Sequence, residues 1–138
     1  MLNEEIRENS RDIGLLFFRI MIGGLMIVGH GYGKLMDATG EAPKFADPLG
    51  LGEGVSLWLA VGAEFFCGLL VIVGLATRLA CVPLVITMVV AAFIVHGADP
   101  LGDKEMALVY GSSFVLLMLT GPGRLSLDGV ISFLRRDA

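Results

Sequence analysis

Ionisable side chains interrupt the long apolar stretches of this chain, among them Lys34 and four that lead the search for a site: Arg19, His30, Glu64 and His96. Such a group inside an apolar stretch is costly unless it faces a partner, a cavity or a ligand. Imidazole and carboxylate groups can exchange protons with a bound molecule or hydrogen-bond to its polar head, and imidazole also binds metals. These four residues are therefore the first candidates for a binding site.

Arg19 and Glu64 carry opposite charges, and counting residues from the ends of their apolar stretches places them at similar depth. We therefore expect them to pair. Two interpretations of the pair stay open. It fixes the register of two helices, or it lines a pocket for the polar head of a ligand. On a helical wheel Arg19, Gly23, Met26 and His30 share one face, and Gly23 and Gly24 allow another helix to approach closely there.

His30 and His96 fall near the ends of their apolar stretches, on one side of the predicted membrane. They are hydrogen-bonded end residues, proton-exchanging groups for a quinone head, or ligands of a metal or haem. Neither stands in a metal-binding spacing, so no metal site is predicted and haem is the less favoured cofactor. Lys34, Glu105 and Tyr110 are secondary candidates for the same polar cluster. No catalytic residue is assigned.

Three aspartates are expected to be ordinary solvated loop residues rather than site residues: Asp37, Asp99 and Asp103.

The elements that must position these side chains are membrane helices. Of the 138 residues, 55% are hydrophobic and only 17% are charged, and the mean hydropathy is +0.79. This composition is typical of an integral membrane protein. We predict an all-α, four-helix membrane bundle in a single domain spanning 1–138. The predicted spans are 13–36, 55–75, 79–96 and 105–120, followed by an interfacial tail over 125–136.

A long outer loop is predicted between the first and second spans, because glycine and proline recur there. Phe45 and Leu49 are the expected anchors of this loop over the bundle.

The distribution of basic residues predicts the orientation of the bundle. Four spans place both termini on one side, together with the six arginines Arg7, Arg11, Arg78, Arg124, Arg135 and Arg136; Lys34, Lys44 and Lys104 fall on the other side. By the positive-inside rule both termini are cytoplasmic. The net charge of −4, without a basic tract, argues against nucleic acid as a partner. The bilayer is the expected partner.

From about residue 14 to residue 128 the chain resembles the DoxX family. The resemblance is carried by Arg19 with Gly23, Gly29-His30-Gly31-x-x-Lys34-Leu35, Glu64-Phe65-x-x-Gly68, Gly74-Leu75-x-Thr77-Arg78 and Gly121-Pro122-Gly123-Arg124-x-Ser126-Leu127-Asp128. It implies a four-helix protein of a bacterial or archaeal cytoplasmic membrane, with relatives linked to quinone-coupled sulfur oxidation and to membrane oxidoreductase complexes. No set of catalytic residues carries over. The loop from Asp37 to Gly54 is longer than the family pattern leads us to expect.

The leading functional hypothesis is a membrane subunit of an oxidoreductase system that offers a quinone-binding site between its helices. The chain has no dinucleotide glycine motif and no paired cysteines, so the electron donor would be a partner oxidoreductase. The alternative is a non-catalytic accessory or assembly subunit of a membrane complex. A small-solute transporter would require a homo-oligomer. The sequence leaves open whether the chain is itself an enzyme, and which quinone it meets.

Overall fold

The structure is a computed structural model that describes residues 1–41 and 44–136. It is all-helical, as predicted, with no strand in the part of the chain that it describes. Within the described ranges, five helices follow one another: α1 (Leu2–Ala38), α2 (Glu53–Val73), α3 (Thr77–Val95), α4 (Leu101–Thr120) and α5 (Leu127–Arg136).

Helices α1, α2 and α3 are each long and apolar enough to cross a membrane. Large apolar side chains such as Phe17, Leu59 and Phe93 are exposed on them, where they contact lipid. Helix α4 has 20 residues but carries Asp103, Lys104 and Glu105 near its start, so its composition is less apolar. The chain is a membrane protein in contact with the bilayer.

Helices α1 to α4 all begin earlier than the predicted spans, α2 and α3 by two residues and α1 and α4 by more. Helix α1 begins at Leu2 rather than at residue 13, because no glycine or proline interrupts the polar N-terminal residues. Its 37 residues extend for about 56 Å, well beyond a hydrocarbon layer of about 30 Å. Helix α4 begins at Leu101 rather than at residue 105, directly after Pro100.

Three of the helices contain a π-helical turn: Ile27–Gly31 in α1, Gly62–Cys67 in α2 and Ala91–Val95 in α3. Relative to an uninterrupted α-helix, one extra residue in a turn rotates the following side chains by about 100°. The prediction that His30 shares a face of α1 with Arg19 and Gly23 is therefore wrong. Arg19, Gly23 and Met26 are buried, whereas His30 is exposed.

Helices α1 and α2 approach closely through glycines. A Cβ atom at Gly23 would lie 2.7 Å from Ile72 Cγ1 and 3.1 Å from the Gly68 carbonyl oxygen. At Gly31 it would lie 2.8 Å from the carbonyl group of Glu64. The predicted close approach is confirmed at Gly23, whereas Gly24 has nothing within 4 Å of its Cβ position. These contacts fix the register of α1 against α2.

The apolar core lies between α1, α2, α3 and α4 and includes Met26, Val71, Leu84, Phe114 and Leu117. Met88 and Tyr110 belong to this core and also line a cavity. The end of the bundle that holds this cavity is called the cavity end below. The opposite end, where α1 begins and α5 lies, is called the terminal end.

Candidate functional site

A cavity of about 580 Å³ lies among α1, α2, α3, α4 and the segment that joins α1 to α2. Five of the predicted site residues line it: His30, Lys34, Glu64, His96 and Tyr110. Most of the remaining wall is apolar and comes from α2 and α3, including Leu59, Ala60 and Ile86. A largely apolar cavity with a few polar groups is the usual form of a small-molecule site.

Lys34 and Glu64 form an ion pair across the α1–α2 contact. The Lys34 Nζ atom donates to Glu64 Oε2. Glu64 is buried, and Gly31, which lies one turn before Lys34, lets α1 approach its backbone. Glu64 also lies within the π-helical turn of α2, a feature often found at functional sites. Removing one partner of such a buried pair is costly, because the other charge is left uncompensated.

The predicted pairing of Arg19 with Glu64 is wrong. The register of α1 and α2 sets Gly31 beside Glu64, so Arg19 lies about 18 Å away along α1. Its Nη2 atom donates to the Leu125 carbonyl oxygen at 2.6 Å, and the rest of the guanidinium packs against Gly74. Arg19 is fully buried at the terminal end and does not line the cavity. The prediction failed because it counted the depth of each residue from the ends of the predicted spans, whereas the helices begin at Leu2 and Glu53.

Glu105 also lies apart from the cavity. Its side chain is exposed on α4, whereas its neighbours Asp103 and Met106 line the cavity wall.

His30 and Tyr110 connect α1 with α4 at the cavity. Their rings meet edge to face, with centroids 5.5 Å apart and an angle of 87° between the planes. Tyr110 is in turn stacked on Phe114 at 6.3 Å, which holds its ring in one orientation. His30 reaches this position because the π-helical turn of α1 turns it away from the α2 contact. Both residues line the same cavity.

His96 follows the π-helical turn of α3 and is paired with a carboxylate. Its Nδ1 atom lies 2.8 Å from Asp99 Oδ2. The two side chains are 40% and 47% exposed, and His96 also lines the cavity. Asp99 is an exposed loop residue, as expected, and it binds His96. The expectation is wrong for Asp103, which lies in α4 and in the cavity wall.

Residues 45–51, between α1 and α2, cover the cavity and are called the cavity cover below. Phe45 and Leu49, the predicted anchors, line it together with Leu51. The Asp47 carboxylate accepts hydrogen bonds from Ser56 Oγ at 2.7 Å, from the Gly52 amide at 2.8 Å and from the Leu51 amide at 2.9 Å. These bonds, that of Ser56 first, lower the pKa of Asp47. Asp47 therefore ties this cover to the start of α2.

Sequence reasoning missed Asp47. The only signal for it was local, because Asp47-Pro48-Leu49-Gly50 has the composition of a turn.

A second polar cluster holds the terminal end together. The Asp128 carboxylate accepts from the Ala76 amide at 2.7 Å and from the Thr77 amide at 3.0 Å, which caps the start of α3. Arg124 binds the Asp12 carboxylate through its backbone amide and its guanidinium. The motif residues that follow α4 therefore have a structural role here.

A sequence model of the DoxX family matches residues 14–97 of this chain. The chain belongs to the DoxX family. Four of the five cavity residues, His30, Lys34, Glu64 and His96, lie within the range that matches the DoxX model, and Tyr110 lies outside it.

The chain is similar to the inner membrane protein YqjF of Escherichia coli (strain K12), with 29% identity over 88% of this chain and 94% of that protein. It is 31% identical to an uncharacterised protein of Haemophilus influenzae, over 88% of this chain and 92% of the relative. It is 32% identical to a Bacillus subtilis (strain 168) protein named "Putative oxidoreductase CatD", over 86% and 87% of the two chains. No solved structure matches the chain.

Proposed function

We propose that this DoxX-family protein is a membrane subunit of an oxidoreductase system and that its cavity binds the head group of a quinone. The observation that carries the proposal is the cavity itself, about 580 Å³ in volume, in which apolar walls surround a few convergent polar groups. A quinone head is a flat apolar ring with carbonyl oxygens, so its site needs apolar walls for the ring and polar groups for the oxygens. The name of the Bacillus subtilis relative supports a redox role.

The side chains of the cavity suit such a ligand. The Lys34 ammonium has three donor hydrogens and gives one to Glu64, so it has donors left for a carbonyl oxygen. The Tyr110 hydroxyl and the His30 ring are further hydrogen-bonding groups of residues that line the cavity, held by their edge-to-face contact. A bound quinone would supply two-electron, two-proton redox chemistry, with electrons exchanged through a partner oxidoreductase.

We further propose that α4 is a fourth membrane crossing and that both termini are cytoplasmic. The 20 residues of α4 extend for about 30 Å, and its charged residues fall in the first two turns at the cavity end. The arginines at the terminal end favour its placement on the cytoplasmic side. The cavity then faces the outer half of the bilayer.

Quinol-linked turnover in native membranes tests the proposal. Glu64→Gln removes the charge that pairs with Lys34 while it preserves side-chain size, and we expect turnover to fall by about tenfold or more. Glu105→Gln makes the same chemical change outside the cavity and should leave turnover at the wild-type level. Wild-type turnover in folded Glu64→Gln protein would contradict the proposal.

A non-catalytic accessory subunit is the second candidate, and the position of the Lys34–Glu64 pair favours it, since the pair joins α1 to α2. Exchange of the two charges in the double variant Lys34→Glu/Glu64→Lys distinguishes the two functions. An accessory subunit predicts that the exchange restores both stability and partner turnover relative to either single variant. The quinone site predicts that stability recovers and turnover does not.

A further inference from the structure

We infer that Asp99 is a positioning residue for His96, and that the His96–Asp99 pair passes protons between the cavity and the aqueous surface at the cavity end. The inference rests on the proposed function for the source of these protons. It rests on the structure for the pair itself, which joins a cavity-lining imidazole to an exposed carboxylate.

The geometry of the pair determines which ring nitrogen is free. His96 Nδ1 lies 2.8 Å from Asp99 Oδ2, so Nδ1 carries the hydrogen that this bond requires. In the neutral ring Nε2 is then the acceptor. The turn that holds the pair is itself bonded, because the Asp99 amide donates to the His96 carbonyl oxygen at 3.1 Å and Lys104 Nζ donates to the Gly97 carbonyl oxygen at 3.0 Å.

His96 differs from the other polar groups of the cavity because it combines exposure to solvent, which His30 and Asp103 share, with a carboxylate partner. Glu64 and Tyr110 are buried, and Lys34 is engaged with Glu64. The His96 side chain is 40% exposed although it also lines the cavity, and Asp99 is 47% exposed. Within the part of the chain that the structure describes, His96 is the one imidazole paired with a carboxylate. It therefore joins the cavity to the surface.

The transfer involves no change of oxidation state. Nε2 accepts a proton from a hydroxyl group in the cavity, the donor keeps its electron pair as an oxyanion, and the ring becomes an imidazolium. The Asp99 carboxylate stabilises this cation through Nδ1–H. The imidazolium then releases the Nε2 proton to water that reaches the exposed side of the ring, and the neutral ring with hydrogen on Nδ1 is restored. The reverse sequence brings a proton into the cavity.

The ¹⁵N NMR signals of His96 in purified protein test the positioning without any quinone or partner. At a pH where the ring is neutral, we expect the tautomer with hydrogen on Nδ1. Asp99→Ala should abolish this preference and Asp99→Glu should retain it, whereas Asp103→Ala removes a nearby cavity carboxylate and should leave the tautomer unchanged. The His96→Gln variant identifies the signals. A wild-type ring with hydrogen on Nε2 would overturn the inference.

Turnover in native membranes tests the proton transfer. Asp99→Ala should lower kcat about tenfold with little effect on KM, and Asp99→Glu should recover most of the loss. Wild-type kcat in Asp99→Ala, with the tautomer preference lost, would overturn the transfer role. Absence of turnover in every variant, wild type included, with the expected tautomers, would overturn the proposed function and the transfer and leave the positioning by Asp99 standing.

Discussion

The Asp47 carboxylate shows how a single side chain shapes the cavity. It lies outside the predicted membrane spans, accepts three hydrogen bonds from residues at the start of α2, and so holds the cavity cover in place. A carboxylate accepts these bonds best when it is ionised, which is why its pKa is lowered. The cover is therefore coupled to pH.

We predict that the cover loosens in acid. Because the pKa of Asp47 is lower in the folded protein than its ordinary value of 3.8, its contribution to stability is complete above that value. The contribution is lost as the pH falls through the folded-state pKa. Hydrogen exchange at the Leu51 and Gly52 amides, corrected for intrinsic rates, should therefore accelerate below about pH 4.

Asp47→Asn provides the control, since it keeps an acceptor oxygen and removes the titration. In this variant the Leu51 and Gly52 amides should exchange faster than in the wild type at neutral pH and lose little further protection in acid. Wild-type protection that is equal at pH 7 and in acid would contradict this account of the cover.

The residues of the cavity could be predicted in kind but not in their pairing. His30, Lys34, Glu64, His96 and Tyr110 stand out in the sequence because polar groups in apolar stretches require a reason. The pairing of Glu64 depends on which part of α1 faces it, and that follows from the contact of Gly31 with the Glu64 backbone. No spacing within one helix carries this information, so Arg19 was assigned a partner that belongs to Lys34.

At the scale of the helices, the close packing of α1 on α2 sets the geometry of the site. Gly31 has no space for a side chain, because the Glu64 carbonyl group lies 2.8 Å from the Cβ position. Gly33, two residues later in the same helix, has nothing within 4 Å. The two glycines therefore allow the same substitution to be compared in a packed and an open position.

We predict that Gly31→Ala destabilises the protein by about 1–3 kcal/mol, since backbone must move to admit the methyl group. Gly33→Ala should be neutral or stabilising by up to about 1 kcal/mol, because alanine favours helix and meets no neighbour. Unfolding midpoints of the two variants in detergent micelles measure the difference. Equal midpoints would show that α1 and α2 do not pack in this register.

The helices themselves could be predicted from apolar length, and their boundaries less well. A run of apolar residues indicates a span but says nothing about polar residues that continue the same helix, as Leu2 to Asp12 do in α1. The π-helical turns have no recognised sequence signal, yet they redirect His30 and contain Glu64. The fine geometry of the site therefore required the structure.

At the scale of the whole molecule, the chain separates two polar regions by an apolar core. Arg19, Asp12 and Asp128 stabilise the terminal end through backbone and side-chain hydrogen bonds. The cavity end holds the titratable groups that line the cavity, and the cavity cover, anchored by Asp47, lies over them. This division places the Asp12, Arg19 and Asp128 hydrogen bonds at one end of the molecule and the proposed ligand site at the other.

Equilibrium binding of a short-chain quinone to the purified protein tests the ligand site most directly. The two tyrosines of the chain provide a matched pair of variants, because Tyr110 lines the cavity and Tyr32 is exposed on α1 outside it. Tyr110→Phe removes one hydroxyl and keeps the ring contacts with His30 and Phe114.

We predict saturable binding at one site, weakened about fivefold to tenfold by Tyr110→Phe, the value of about one hydrogen bond, and unchanged by Tyr32→Phe. Absence of saturable binding, or equal affinity in wild type and Tyr110→Phe, would contradict the assignment of the cavity as a quinone site.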